Sequence, residues 1–179
     1  TFTTSNWNTA QTVTVTGLDD ADIDGDIAYT LTATSTSTDS SFNGKTALID
    51  VINTDNDVAN TVPVANDDTG SVNENATLTV SALNGVITST GVVSGVDTDA
   101  DGNTLTVIGV TTGSVASVAA VGTSNVASSL AGTYGHLTLA ANGGYSYLAD
   151  ASAANALAGG ATVTDVFTYA ISDGSGGNS

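Results

Sequence analysis

The side chains in this sequence that could do chemistry are carboxylates gathered in short clusters. The chain has 179 residues, 18 of them Asp or Glu, and Lys45 is the only Lys or Arg, so the formal charge is -17. Clusters of Asp at turns resemble the oxygen cages that bind calcium. Two carboxylates about 5 Å apart repel by roughly 3 kcal/mol at an effective dielectric near 20, so a bound divalent cation would relieve the crowding. We therefore expect Ca²⁺ as the cofactor.

Two clusters lie in the first 75 residues. The densest falls between two predicted strands and contains Asp19, Asp20, Asp22, Asp24 and Asp26. The second flanks a short linker and contains Asp55, Asp57, Asp67, Asp68 and Glu74. Carboxylates on both sides of that linker could share ions and stiffen it. The alternatives are a hydrated acidic turn for the first cluster and ordinary linker polarity for the second.

A third cluster contains Asp97, Asp99 and Asp101, followed by Gly102. This spacing matches the first half of an EF-hand loop. The position for the bidentate Glu of that loop is Ile108, however, and the flanks are strand-like, so the pattern predicts a calcium-binding turn outside the EF-hand family. Asp165 and Asp173 form a weaker fourth group, and both could simply close turns.

Catalytic signatures are missing from the sequence. His136 is the only histidine and cysteine is absent, which argues against zinc sites, disulfides and thiolate chemistry. No Gly-x-Ser-x-Gly motif marks an activated serine, so a hydrolase that uses His136 is the weakest hypothesis, and packing on a strand face is the expected role of this histidine. The charge argues against nucleic-acid partners and against anionic membranes. No apolar run is long enough for membrane insertion.

Alternating apolar and polar residues predict an all-β fold. Thr, Ser, Gly, Ala and Val dominate the composition, and period-two patterns recur between turns rich in Gly, Asp, Asn and Ser. Strands are predicted at 11–17, 27–33, 47–52, 77–80, 104–110, 114–119, 136–139, 145–148 and 163–171. One or two helical turns are predicted within 151–158, an Ala-rich stretch that ends at two glycines.

The single proline, Pro63, lies between two Asp-rich clusters and indicates a domain boundary. We predict a first domain at 1–58, a linker at 59–64 and a second domain at 65–179. A first domain this small buries too little surface to be stable comfortably, which suggests an incomplete sandwich.

Two further surfaces could bind a ligand. Two rows of threonines could present ordered hydroxyls to ice or polysaccharide: Thr12, Thr14 and Thr16, and Thr30, Thr32 and Thr34. Trp7, Tyr145 and Tyr147 could stack on a sugar. Exposed strand faces explain the threonines, because Thr is a good strand former, and core packing explains the aromatic residues.

Two stretches resemble known families. The first stretch resembles the later part of a Calx-beta-like repeat of giant bacterial adhesins. It consists of segment 1–17, Asp19-Asp20, Asp24-Gly25-Asp26 and the run 53–57 (Asn-Thr-Asp-Asn-Asp). From Ala65 onward, runs 97–102, 132–139, 142–147 and 165–174 resemble a VCBS repeat, a cadherin-like sandwich.

The resemblance implies two tandem Greek-key (Ig/cadherin-like) β-sandwich modules, the first of them incomplete, in a repeats-in-toxin (RTX) adhesin. It further implies secretion to the bacterial surface and calcium at loops and joints. The family's calcium loops would correspond to Asp19, Asp20, Asp55 and Asp57 in the first module, and to Asp67, Asp68, Asp99 and Asp101 in the second. The piece is expected to be out of phase with its repeats, so that exposed sheet edges pair with neighbouring repeats of the same array.

The leading hypothesis is therefore a non-enzymatic, calcium-stabilised extender of an extracellular adhesin that supports cell-surface adhesion or biofilm formation. The alternative is a module that binds glycan or ice through its Thr-rich or Tyr-bearing strand faces.

Overall fold

A computed structural model describes residues 1–88 and 95–179, which form two compact units, Thr1–Ala59 and Asn60–Ser179. Every strand pairing in the described residues is antiparallel, and strands far outweigh helices. The predicted all-β fold is confirmed. The described parts of the chain contain no helix with the length and apolar character needed to span a bilayer.

The first unit is built on one hairpin, β1 (Ile27–Thr34) and β2 (Thr46–Asn53). Its register runs from Ile27 opposite Asn53 to Thr34 opposite Thr46. Side chains alternate between the faces of a strand, so this register places most of the apolar residues on one face. That face contains Ile27, Tyr29, Leu31, Ala47, Ile49 and Val51.

The prediction of a strand at 11–17 is wrong, because these residues have no ladder partner in the described structure. Within the described residues, β1 and β2 pair only with each other. Val13 is 85% exposed and Ile49 is 50% exposed, so the apolar alternation does not correspond to a buried face here. Alternation predicts which side chains share a face. A strand forms, however, only when it pairs with a neighbouring strand, and an apolar face is buried only when another element packs against it.

The second unit contains all the other elements. In chain order these are β3 (Thr77–Val80), a 3-10 turn (Ala82–Asn84), β4 (Thr106–Thr112), α1 (Val118–Val121), β5 (Leu130–Ala131), β6 (His136–Leu139), β7 (Tyr145–Leu148), α2 (Ser152–Asn155) and β8 (Phe167–Ser172). One sheet has the order β3-β7-β6-β5, and the other pairs β4 with β8.

The core of the second unit draws on both sheets, as in a β-sandwich. It contains Val107 and Val110 from β4, Leu139 from β6 and Ile171 from β8, together with Val86 and Ile87. Tyr145 on β7 and Phe167 on β8 pack against this cluster. The opposite face of the four-stranded sheet carries the alternate residues, which include Thr77, His136 and Ser146.

Two other elements differ from prediction. The predicted strand at 114–119 is wrong: β4 ends at Thr112, and Gly113, at φ +85°, turns the chain before the short helix α1. Strand β8 starts at Phe167, so residues 163–166 precede it as irregular chain. The Ala-rich stretch 151–158 contains one helical turn, α2, as predicted.

Residues 60–64 belong to the second unit, although the sequence suggested a linker there. The side-chain amide of Asn60 donates to Asp173 Oδ2 at 2.7 Å, and Pro63 is fully buried. Val64 and Thr98 exchange two backbone hydrogen bonds, of 2.7 and 3.0 Å. These contacts fix the segment because they satisfy its polar groups and cover its proline.

Candidate functional site

The first unit has a cavity of about 330 Å³ whose wall is rich in carboxylates. The loop before β1 and the segment after β2 supply Asp19, Asp20, Asp22, Asp24, Asp55 and Asp57. The sequence placed these residues in two separate clusters. The hairpin joins the clusters, because antiparallel pairing sets the residue before β1 beside the residue after β2.

Short hydrogen bonds connect the two segments of this cavity. The backbone N–H of Gly25, at φ +82°, donates to Asp55 Oδ2 at 2.7 Å. The N–H of Asp55 donates to Asp26 Oδ1 at 3.0 Å. Asp26, the last residue of the first cluster, is therefore held beside the segment that follows β2. Hydrogen bonds from the amides of Asp57 and Gly25 lower the pKa of Asp55.

Asp57 experiences the opposite effect. Burial raises the pKa of Asp57, and the negative charges of four neighbours raise it further. Those neighbours are Asp55, Asp19, Asp20 and Asp22. The part of this rise that comes from the four neighbouring carboxylates reports a negative potential, so this position attracts a proton or another cation.

The donor chemistry of this cavity fits calcium, since hard cations of this kind take carboxylate and carbonyl oxygens. The geometry is not that of an assembled cage. Among residues 1–88 and 95–179, no three acidic, histidine or cysteine side chains converge as a metal site would require. Calcium binding by the first cluster and by Asp55 and Asp57 therefore stays a prediction.

In the second unit, the predicted calcium-binding turn is held by its own backbone. The N–H groups of Asp101 and Asn103 both donate to Asp99 Oδ1 at 3.0 Å, and Gly102 takes φ +75°. The N–H of Thr61 donates to Asp101 Oδ2 at 2.6 Å. The other oxygen of Asp99, Oδ2, is buried and has no hydrogen-bond partner in the described structure.

Asp97 is a buried carboxylate in contact with a tyrosine. It is 5% exposed, accepts from the N–H of Asn66 at 2.7 Å, and lies 3.1 Å from the hydroxyl of Tyr169. The same hydroxyl lies 3.1 Å from Asp68 Oδ2. Burial raises the pKa of Asp97, although the hydrogen bonds from Asn66 and Tyr169 oppose the rise. The fold thus brings Asp68 and Asp97 together from two predicted clusters.

Asp67 and Glu74 take no part in this network. Both are exposed, and their side chains make no hydrogen bond within the described parts of the chain. Asp55 and Asp57 belong to the first unit, and Asp67, Asp68 and Glu74 belong to the second. Ion sharing across the boundary stays a prediction.

Asp165 and Asp173 close turns. Asp165 accepts from the N–H groups of Thr133 and Tyr134 at 2.8 and 2.9 Å and from the Tyr147 hydroxyl at 2.5 Å. Burial works to raise the pKa of Asp165, but these hydrogen bonds outweigh it and lower the pKa. The side-chain amide of Asn60 is the main cause that lowers the pKa of Asp173.

His136 lies at the exposed start of β6. Its Nδ1 lies 2.7 Å from Asp150 Oδ1, and no serine or threonine hydroxyl is hydrogen-bonded to the ring in the described structure. The sequence analysis missed Asp150 as a partner. The register of β6 and β7 brings the two residues together, because His136 lies opposite Leu148 and Asp150 follows two residues later on the same face. Pairing the two predicted strands in this register would have identified Asp150 as the partner.

The two tyrosines pack as the favoured interpretation predicts, and the threonine face also carries other kinds of side chain. Tyr145 and Tyr147 are half-buried on the core side, and Tyr147 meets Phe167 edge to face with ring centroids 6.2 Å apart. The Thr30 hydroxyl donates to Asp50 Oδ1 at 2.9 Å, and the threonines of β1 share their face with Leu48, Asp50 and Ile52. That face is therefore not a uniform hydroxyl array.

Comparison with known sequences finds a match to one protein-family model. Residues 60–179 match the bacterial cadherin-like domain, which covers two thirds of the chain and coincides with the second unit. No curated protein matches the sequence.

Proposed function

Because the chain belongs to the bacterial cadherin-like domain family, we propose that it is a calcium-stabilised structural extender of a large secreted adhesin that supports cell-surface adhesion or biofilm formation. The family indicates a structural or adhesion-related module of an extracellular surface protein. Cadherin-like β-sandwich domains are typically non-catalytic. The hydrogen bonding of His136 gives no support to an enzymatic alternative.

The observation that carries the calcium proposal is the carboxylate-lined cavity of the first unit. Six Asp side chains from two segments line it, and the pKa of Asp57 is raised by burial and by four of its neighbours. The chain offers one Lys or Arg to offset 18 acids. A divalent cation would replace carboxylate repulsion with attraction, and would draw the loop before β1 and the segment after β2 together.

Calcium binding would make folding depend on whether the chain is inside or outside the cell. Repulsion among unneutralised carboxylates keeps the unfolded chain expanded. A cation that binds only the folded state stabilises it by RT ln(1 + [L]/Kd), about 2.7 kcal/mol per site at a hundredfold excess. Extracellular calcium would then stiffen the module after export.

The wider setting follows from the sequence resemblance. The motifs of residues 1–57 resemble a Calx-beta-like repeat, and those of the second unit resemble a VCBS repeat, both found in RTX adhesins. We propose that neighbouring repeats of the same array are its partners and that they pair at open sheet edges. The outer edge of β3 is such an edge in the described structure.

Scanning calorimetry of the whole chain, with about 5 mM calcium and then with a chelator, tests the proposal. That concentration exceeds the dissociation constants of roughly 0.1–1 mM that extracellular calcium-binding modules show. We expect at least one transition to fall by on the order of 10 °C on chelation, since a small unit shifts by about 4–8 °C per kcal/mol. Magnesium at equal concentration should restore little of this shift, because Mg²⁺ demands a stricter octahedral geometry. Identical melting curves with and without calcium would refute the calcium part of the proposal.

A variant in the cavity makes the test specific. Asp57→Asn removes a charge from a crowded position, so we expect it to stabilise the chelated protein and to reduce the gain from calcium. Asp39→Asn is the matched control, because Asp39 is exposed and does not line the cavity. Equal calcium responses in the two variants would place the ion elsewhere.

A further inference from the structure

A second depression, of about 440 Å³, lies on the outer face of the four-stranded sheet. Alternation along β3, β6 and β7 sends every second side chain to this face, away from the core. The depression is lined by Leu148, by four hydroxyl side chains and by one hydrogen-bonded pair: Thr77, Ser129, Thr138, Ser146, and His136 with Asp150. Three paired strands supply most of these groups, so the sheet fixes their spacing.

Most polar groups around this depression have no hydrogen-bond partner within the described residues. The hydroxyls of Thr77, Ser129, Thr138 and Ser146 make no hydrogen bond within the described residues. The imidazole of His136 is engaged through Nδ1, at 2.7 Å from Asp150 Oδ1, and its Nε2 has no protein partner there. Hydrogen-bonding groups with free capacity, held side by side on paired strands at one depression, are what a small polar ligand requires.

Charge narrows the chemistry of the ligand. The only Lys or Arg of the chain, Lys45, belongs to the first unit, so the second unit has no permanent cation to hold an anion. A divalent cation would find one carboxylate, Asp150, which is already paired with His136. A neutral ligand with many hydroxyls can donate and accept, so it can exchange hydrogen bonds with Nε2 of His136 and with the serine and threonine hydroxyls. Leu148, 37% exposed at the same face, offers an apolar contact for its C–H groups.

We propose that this depression binds one neutral hexopyranose unit. The sugar could be free or part of a neutral polysaccharide, since the chemistry that recognises the ring is the same. This site is separate from the carboxylate cavity and does not depend on the extender function. It would give the module a contact with glycans of a matrix or of a cell surface.

The imidazole of His136 is a unique reporter, because the chain has one histidine. We would follow its ring signals by nuclear magnetic resonance in the whole chain, during titration with methyl glycosides of glucose, galactose and mannose, and with dextran. We expect at least one of these ligands to shift the ring signals saturably, with a dissociation constant in the millimolar range. Saturation by a methyl glycoside identifies a site for a single ring, and saturation by dextran alone identifies a site for chain-borne sugar; both support the proposal.

Variants then locate the site. The double variant Thr138→Val, Ser146→Ala removes two hydroxyls and should weaken binding by roughly tenfold, the effect of about one net hydrogen bond or two. Thr106→Val removes an exposed threonine hydroxyl from β4, outside the depression, and should leave binding unchanged within about twofold. A thermal melt of each variant checks that it is folded.

Three results would overturn the proposal. One is the absence of a saturable shift with every sugar up to about 100 mM, beyond which affinity has no meaning for recognition. Another is a shift produced by calcium or by inorganic phosphate and by no sugar. The third is equal sugar binding by the folded double variant and the wild-type protein.

Discussion

Replacing Asp165 with alanine should lower the melting temperature of the second unit strongly. One carboxylate there accepts three hydrogen bonds, from the backbone N–H groups of Thr133 and Tyr134 and from the hydroxyl of Tyr147. These contacts tie the segment before β8 to the β5–β6 turn and to β7. Alanine leaves all three donors without their acceptor.

The expected loss is about 3 kcal/mol. A hydrogen bond to a charged group contributes about 1.5–3 kcal/mol when buried, and we take about 1 kcal/mol for each because Asp165 is partly exposed to solvent. For a unit of this size, about 4 °C per kcal/mol gives a fall of roughly 12 °C. Asp150→Ala is the matched control: its carboxylate meets a single exposed partner, His136, so its loss should be below about 1 kcal/mol.

The same contacts predict a pH dependence. The pKa of Asp165 is lower in the folded chain than its ordinary value of 3.8. Its stabilising contribution is therefore complete above that value and is lost as the pH falls through the lower folded pKa. Urea unfolding of wild type and Asp165→Ala at neutral pH and at about pH 3 should show the difference narrowing in acid. An equal difference at both pH values, or a loss no larger than that of Asp150→Ala, would refute the argument.

Two further substitutions test packing, with urea unfolding as the measurement. A Cβ at Gly132 would overlap the carboxylate of Asp165, so Gly132→Ala should cost about 2 kcal/mol, whereas Gly159→Ala meets no atom within 4 Å and should be neutral within about 0.5 kcal/mol. Ile171 is fully buried, so Ile171→Ala should cost about 3–4 kcal/mol, whereas Val13→Ala, at a residue 85% exposed, should cost less than about 0.5 kcal/mol.

Local pattern was sufficient for several strands of the second unit. Strands β3, β6 and β7 begin and end where the alternation predicts, at Thr77–Val80, His136–Leu139 and Tyr145–Leu148. Strands β6 and β7 are joined by a tight turn with Gly143 at φ +83°, so each strand has its partner close in sequence. Alternation is a strong predictor where the neighbour is supplied by a short hairpin.

The errors have a common physical origin. Segment 11–17 alternates as well as the true strands do, whereas in 114–119 the valines recur after three residues, at Val115 and Val118. Neither segment has a paired neighbour in the described structure. Strand formation depends on a partner that can be distant in sequence, and a local pattern carries no information about it. The same limit applies to the site: the sequence identified Asp68 and Asp97 in separate clusters, and their common contact with Tyr169 required the fold.

Individual carboxylates of this chain receive very different numbers of hydrogen bonds, and this difference indicates where we propose that calcium binds. In the second unit Asp165 and Asp173 receive several hydrogen bonds each, and these lower their pKa values without any metal. In the first unit donors are fewer than carboxylates, and burial together with the charges of four other aspartates raises the pKa of Asp57. A carboxylate that caps a turn stabilises the fold by itself, whereas one that faces other carboxylates stabilises it only when a cation intervenes. Acidic residues of similar sequence context can therefore either stabilise or destabilise the fold. The number of N–H and O–H donors within hydrogen-bonding distance determines which of the two effects a carboxylate has.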